Sequence, residues 1–243
     1  MERQRPRSTD AVAFTYPWYR SFLDRLQDAG YEFRRFSEGV DGGDVLLRHD
    51  VDLSLPDALT MARLEADRGV TATYCVLLTS ALYNPLEREQ RDRIREIASL
   101  GHEVALHFST HEYWDGKPND SELLRRINGE WTVLDTLLSD PPETVSFHDP
   151  PSWVLARSFD GVRNTYAPAY FSEIDYVADS GQRWRDQPPA VEDLGESAQI
   201  LVHPGLWGEE DGNFAERVEH SVAASCRHAH DKARKEFGLE DGR

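Results

Sequence analysis

The sequence predicts an α/β fold built on a parallel sheet or barrel, and three observations carry that expectation. Short apolar runs alternate with amphipathic stretches of helical periodicity between about residues 17 and 207. Several of the apolar runs turn abruptly polar at their C-terminal ends, as a buried strand does on reaching an active-site face. No linker, fixed-period repeat or low-complexity tract interrupts the 243 residues, a length that suits one large domain over 1–243.

The elements follow in order. PWYRSFLDRLQDA, about Pro17 to Ala29, spaces Trp18, Phe22, Leu23 and Leu26 as an outer helix does, and Gly30 is placed to end it. After the break at Asp41-Gly42-Gly43, DVLLRHDVD reads as a buried strand ending near His49 and Asp50. SLPDALTMARLEADRG is a helix with Pro56 in its first turn, TATYCVLL a second strand, and PLEREQRDRIREIASLG a helix closed by Gly101. HEVALHF is the third strand, Ser121 to Leu138 a helix lacking a full capping box, and ETVSFHDPP the next strand with its loop. An aromatic stretch, AYFSEIDYVADSG, precedes the strand QILVHPGLW, and a charged helix from about Asn213 to Phe237 closes the chain. These are too few clean repeats for an ideal eight-fold barrel.

Composition narrows the partners. Acidic residues outnumber basic ones 44 to 27, and the net charge of -17 repels phosphate backbones, which argues against nucleic acid or an anionic membrane. A neutral or cationic substrate is easier to accommodate. Lysine occurs only at Lys117, Lys232 and Lys235, and the acids are spread along the chain, the pattern of a halophilic cytoplasm, though a high-GC genome also favours arginine. Cys75 and Cys226 are too few for a disulfide framework, and Cys75 in its apolar run reads as a buried free thiol. MERQRPRSTDAVAF has no apolar stretch behind its charges and no window approaches a membrane span, so the expectation is a soluble cytoplasmic protein of undetermined oligomeric state.

The chemistry concentrates in two segments. In His49-Asp50-Val51-Asp52 the carboxylates lie two residues apart at a strand end, which points both to one side if the backbone stays extended. Such a pair also caps helices or closes turns, so its meaning depends on its partner. That partner is His107-Phe108-Ser109-Thr110-His111, where one helical turn after the strand brings both imidazoles onto one face. Two imidazoles and one carboxylate make a facial site with open positions that suits one divalent metal ion, zinc first, with iron, cobalt or nickel served by the same ligands. His49 and His102 alternate away from it and read as core residues. Cys226, His228 and His230 are two apart on a helix, face different ways, and read as a solvated face.

At these residues the sequence resembles the polysaccharide deacetylase, or NodB-homology, family of carbohydrate esterases. An Asp-containing strand end is followed in order by His-x-x-x-His after Gly101-His102-Glu103, over roughly Val45 to Trp207. The resemblance implies a distorted (β/α) barrel, related to the TIM barrel, with fewer than eight regular repeats and a motif core of about 44–207. It implies Asp50 as catalytic base, Asp52, His107 and His111 as metal ligands, and His203 at the end of Ile200-Leu201-Val202 as the acid that protonates the leaving amine. The implied activity is hydrolysis of an acyl group, an N-acetyl first, from a sugar or glycan precursor, with metal-activated water as nucleophile.

Two departures stand out. The family's arginine-proline-aromatic motif is replaced by Phe147-His148-Asp149-Pro150-Pro151-Ser152-Trp153, which lacks the arginine that orients the base; Arg48 or Arg183 are the substitutes on offer. His148 there reads as an extra polar contact or as simple loop packing. The aspartate–tryptophan motif is only loosely echoed by Asp179 and Trp184, to which no catalytic role is assigned. The missing arginine keeps open a degenerate relative that binds glycan or metal without turnover. A metal-dependent phosphoesterase on a related barrel is a third reading, one that usually needs more ligands or a second metal.

Overall fold

A computed structural model describes residues 12–139 and 141–239; the N-terminal stretch MERQRPRSTDA, read above as carrying no leader, lies outside them. The chain alternates as expected. It runs through α1 (Tyr16–Asp28), β1 (Glu32–Arg34), β2 (Asp44–Val51), α2 (Leu55–Ala66), β3 (Thr73–Leu77), α3 (Arg88–Ser99) and β4 (Glu103–Ser109). Then come α4 (Asp120–Leu137), β5 (Thr144–His148), β6 (Arg163–Asn164), α5 (Pro168–Phe171), β7 (Asp175–Ala178), β8 (Ala198–Val202) and α6 (Phe214–Glu236). Every strand pair is parallel, in the order β6-β5-β4-β3-β2-β8-β7, with β1 added beside β2.

The sheet curls into a distorted (β/α) barrel left open between its end strands β6 and β7. Side chains and backbone bridge the opening. Tyr166, just after β6, and Tyr176 of β7 bring their rings to 6.2 Å, and Gln199 of β8 donates from its amide to the Thr165 and Tyr170 carbonyls. Three strands were not legible as such. β1 and β6 are only three and two residues long, and β7 lies in the aromatic stretch with an only partly buried pattern.

Local chemistry sets the helix ends. Thr15, Ser54 and Asn119 accept the N–H of Trp18, Asp57 and Glu122 and so satisfy first-turn donors of α1, α2 and α4. Helix α4 therefore starts at Asp120 behind an Asn119 cap, one residue before the Ser121 start read from the sequence. Asn213 and Glu216 form a full capping box on α6. Gly101, at φ 96°, takes the left-handed position after α3 that a side chain would resist.

Strand β2 is buried along its whole length, and its period-2 alternation divides two interiors. Val45, Leu47 and Val51 join the main apolar core with Leu23, Leu26, Leu59 and Ala62 of the helices. His49 faces the same side, where its Nε2 lies 2.7 Å from Oε1 of the fully buried Glu65, whose carboxylate also accepts the hydroxyls of Tyr19 and Tyr74. His102 sits in this layer too and pairs its Nε2 with the Ala62 carbonyl at 2.9 Å. Arg48 and Asp50 point the other way, into the barrel.

Cys75 is buried and free in β3, and Cys226 is free and exposed on α6. His228 on the same helix bonds Glu87 at 2.7 Å, and among the described residues the positions 226–230 form no metal-sized group of ligands. No helix among the described residues is long and apolar enough to cross a membrane.

One buried acid predicts a pH dependence of stability. Glu130 of α4 is buried, accepts the Tyr113 hydroxyl at 2.7 Å, and is pushed by burial from 4.5 up to about 7. Between these values the unfolded chain has lost the proton and the native protein keeps it, so stability falls as pH rises through this window. At about 1.4 kcal/mol per pH unit the loss is roughly 3 kcal/mol by pH 7. Chemical denaturation at pH 4.5 and 7.5 is expected to show the parent losing about 3 kcal/mol more than Glu130→Gln across this interval.

Candidate active site

The C-terminal ends of β2, β4, β5 and β8 open on one cavity of about 610 Å³, which Asp50, Asp52, His107, His148 and His203 all line. Asp50 is the last barrel-facing residue of β2 and Asp52, two residues on, follows the strand's last residue Val51, so both carboxylates reach the same side, as their spacing requires. Gly205 makes the close approach of the β8 loop possible: a Cβ there would lie 2.7 Å from the Leu53 Cβ, beside Asp52.

Three donor atoms converge at the cavity floor. His107 Nε2 lies 3.1 Å from Asp52 Oδ1, His148 Nδ1 lies 3.1 Å from the same oxygen, and the two ring nitrogens are 3.3 Å apart. A tetrahedral ion with bonds of about 2.0–2.1 Å sets its ligands roughly 3.3 Å from one another. The triangle Asp52–His107–His148 thus has the size and the N/O donor chemistry of a three-residue metal site. Burial pushes the Asp52 carboxyl up, but the hydrogen bonds of His107 and His148 and the charges of His107 and His203 prevail and hold it well below the usual carboxylate range.

His111 stands elsewhere. Strand β4 stays extended through Ser109 and only a short 3-10 turn, Thr110–Glu112, follows. The helical turn that the His-x-x-x-His spacing requires does not form between His107 and His111. The His111 ring is exposed at the rim and its Nε2 lies 3.0 Å from the Asp149 carbonyl. The structure therefore brings Asp52 and His107 together with His148, and leaves the expected ligand His111 outside the cluster. Sheet register explains the exchange. His148 ends β5 directly opposite Ser109 of β4, while His107 is opposite Ser146, so His148 stands one strand across and two residues beyond His107's level. Asp149 then takes a left-handed φ of 41°, turning the chain just past this residue; such strain in a non-glycine residue is held in place by its surroundings.

A guanidinium stands beside Asp50 within the same strand, β2. Arg48 is fully buried and donates from Nη2 to Asp50 Oδ2 at 3.1 Å and to the Tyr166 hydroxyl at 2.7 Å. Its Nη1 donates to Thr165 Oγ1 at 2.9 Å and to Gln199 Oε1 at 2.7 Å. Ser146 adds a 3.3 Å hydrogen bond to the same Asp50 oxygen. Asp50 Oδ1 is left buried with no hydrogen-bond partner among the described residues, 3.8 Å from His107 Nδ1. One oxygen is thus tied down and the other is free. Arg48→Met is expected to leave Asp50 as an uncompensated buried charge and to lower stability by about 3–5 kcal/mol in urea denaturation.

His203 follows β8, and Asp179, to which sequence reasoning gave no role, is what holds it. The fully buried Asp179 accepts His203 Nδ1–H at 2.6 Å, the His203 backbone N–H at 3.1 Å and the Trp207 indole N–H at 2.9 Å. Burial pushes the His203 imidazole down, but the Asp179 carboxylate, with Asp52 and Asp50 beyond it, lifts it to about 9. His203 Nε2 is left facing the cluster, 3.8 Å from Asp52 Oδ2. The signal in the sequence was the position of Asp179 at the end of β7, a strand that pairs with β8, but pairing is not written in a single chain.

No family model and no curated protein matches the chain. Among solved structures it is similar to a Bc1960 peptidoglycan N-acetylglucosamine deacetylase, at a TM-score of 0.46 and 15% identity over 85% of this chain and 91% of that one. It is also similar to the chitin deacetylase of the fungal pathogen Colletotrichum lindemuthianum, at 0.43 and 12% over 77% and 84%. A third is BA3943, a CE4 family pseudoenzyme from Bacillus anthracis, at 0.43 and 14% over 76% and 60%. These are likenesses in the path of the chain.

Proposed function

We propose that this protein is a metal-dependent hydrolase that removes an acyl group, an N-acetyl group first, from a sugar or glycan precursor. One observation carries the reading. Three ligand atoms spaced for a single divalent ion share a cavity with a half-free carboxylate, Asp50, and a carboxylate-bound imidazole, His203.

Asp52, His107 and His148 would hold the ion, with zinc the best fit to an N,N,O set. Bound there, the ion supplies the positive charge that acidifies water and polarises an acyl carbonyl. The remaining steps belong to the chain. Asp50, fixed through Oδ2 by Arg48 and Ser146, offers Oδ1 to take the proton of the attacking water. His203, whose Nδ1–H is committed to Asp179, carries its second proton on Nε2 toward the cavity and donates it to the leaving nitrogen as the C–N bond breaks. This division resembles other carboxylate–histidine pairs in which one carboxylate orients the imidazole and stabilises its cationic form.

The reading of the protein as a degenerate, non-hydrolytic binder rested on the missing arginine, and the contact of Arg48 with Asp50 supports activity instead. Acetate release from N-acetylated mono- and oligosaccharides by zinc-loaded protein tests the proposal. Release that stops on chelation and returns with zinc is expected. Stoichiometric metal binding without release from any acylated sugar would favour the binding-protein account.

A further inference from the structure

Among the described residues Arg183 is the single lysine or arginine that lines the 610 Å³ cavity, on the wall formed with Ser180 and Gly181. Arg48, beside Asp50, and Arg185, two residues further on, each pair with a carboxylate. Arg183, on the cavity wall, does not. Its Nε donates to the Ser180 carbonyl at 3.2 Å, and among the described residues neither Nη nitrogen has an acceptor and no carboxylate lies within 4.0 Å.

The backbone beneath it is fixed in an unusual form. Gly181 and Gln182 both adopt left-handed angles, φ 61° and 59°, which a glutamine resists. Gln182 is buried and donates to the Gly212 carbonyl at 2.8 Å, and Trp184 on the other side is buried against Phe22 and Trp207. Arg183 is thus pinned between two buried neighbours while its own side chain is exposed toward the cavity. A planar fork of unpaired donors on a rigid wall is the chemistry that recognises carboxylate and phosphate.

We propose that the acylated substrate carries an anionic substituent, a carboxylate or a phosphate ester, and that Arg183 binds it. This rests on the hydrolase reading above and adds the substrate class. The net charge of -17 does not oppose it, because at physiological salt charges more than about 8 Å apart in solvent are largely screened, and the guanidinium sits on the cavity wall itself.

The test compares zinc-loaded protein binding to N-acetylglucosamine, its 6-phosphate and the matching N-acetylated uronic acid by calorimetry, with acetate release read in the same samples. At least one anionic sugar is expected to bind tenfold or more tighter than the neutral one; which one does so identifies the substituent. The ratio should fall to near one in Arg183→Gln and persist in Arg125→Gln, an exposed arginine of α4 outside the cavity. Equal binding of all three sugars, or a preference that survives in Arg183→Gln, would overturn the anion subsite. A preference with no acetate release would overturn the hydrolase reading and leave the subsite standing; release with no preference would overturn the subsite alone.

Discussion

His148→Ala is expected to weaken binding of zinc about a hundredfold or more, while His111→Ala changes it by no more than about tenfold. The difference follows from position. His148 Nδ1 stands 3.1 Å from Asp52 Oδ1 and 3.3 Å from His107 Nε2, so its removal takes one of three protein ligands. Structural zinc is worth about 10–16 kcal/mol across four ligands, so one ligand contributes on the order of 3 kcal/mol, or roughly a hundredfold. His111 instead meets the Asp149 carbonyl at the exposed rim. Its loss slackens the turn after β5, an indirect effect of the size seen when outer partners of ligands are removed, about tenfold at the lower end. Competition against a chromogenic chelator measures both variants, and the reverse order would return His111 to the ligand set.

Asp50→Asn is expected to lower kcat about a thousandfold with little change in metal affinity. Asparagine keeps the shape and can still accept from Arg48 and Ser146, so the barrel interior stays filled. What disappears is a basic oxygen at the one buried position on this side chain without a partner. General acid–base groups contribute about 10²–10⁴-fold, and the middle of that range is the expectation for a base that acts alone. Saturation kinetics with chelator competition on the same preparation separate this from loss of the ion. A variant that keeps kcat within tenfold would remove Asp50 from the chemistry and leave it a structural partner of Arg48.

The parts of this molecule that depend on periodicity were legible in the chain, and those that depend on strand neighbours were not. The run DVLLRHDVD told of a buried strand ending in two carboxylates because alternation along one strand is a local property, and Asp50 and Asp52 do line one cavity. His107 and His111 illustrate the opposite. Their spacing suggests one helical face only if a helix begins at His107, and β4 instead runs on to Ser109. His148 and Asp179 lie 41 and 72 residues beyond His107, and each reaches the site because its strand, β5 or β7, pairs beside β4 or β8. Arg48 and Arg183 are the two arginines the sequence offers for the missing guanidinium, and Arg48 is the one that meets Asp50. Two residues before Asp50 on one strand, it shares that face by the same alternation that placed the carboxylates.

A crystal structure of the zinc-loaded protein tests the central claim most directly. One ion is expected within about 2.0–2.2 Å of Asp52, His107 and His148, with His111 still on the Asp149 carbonyl. An ion held by His111 in place of His148, or bound away from these residues altogether, would contradict it.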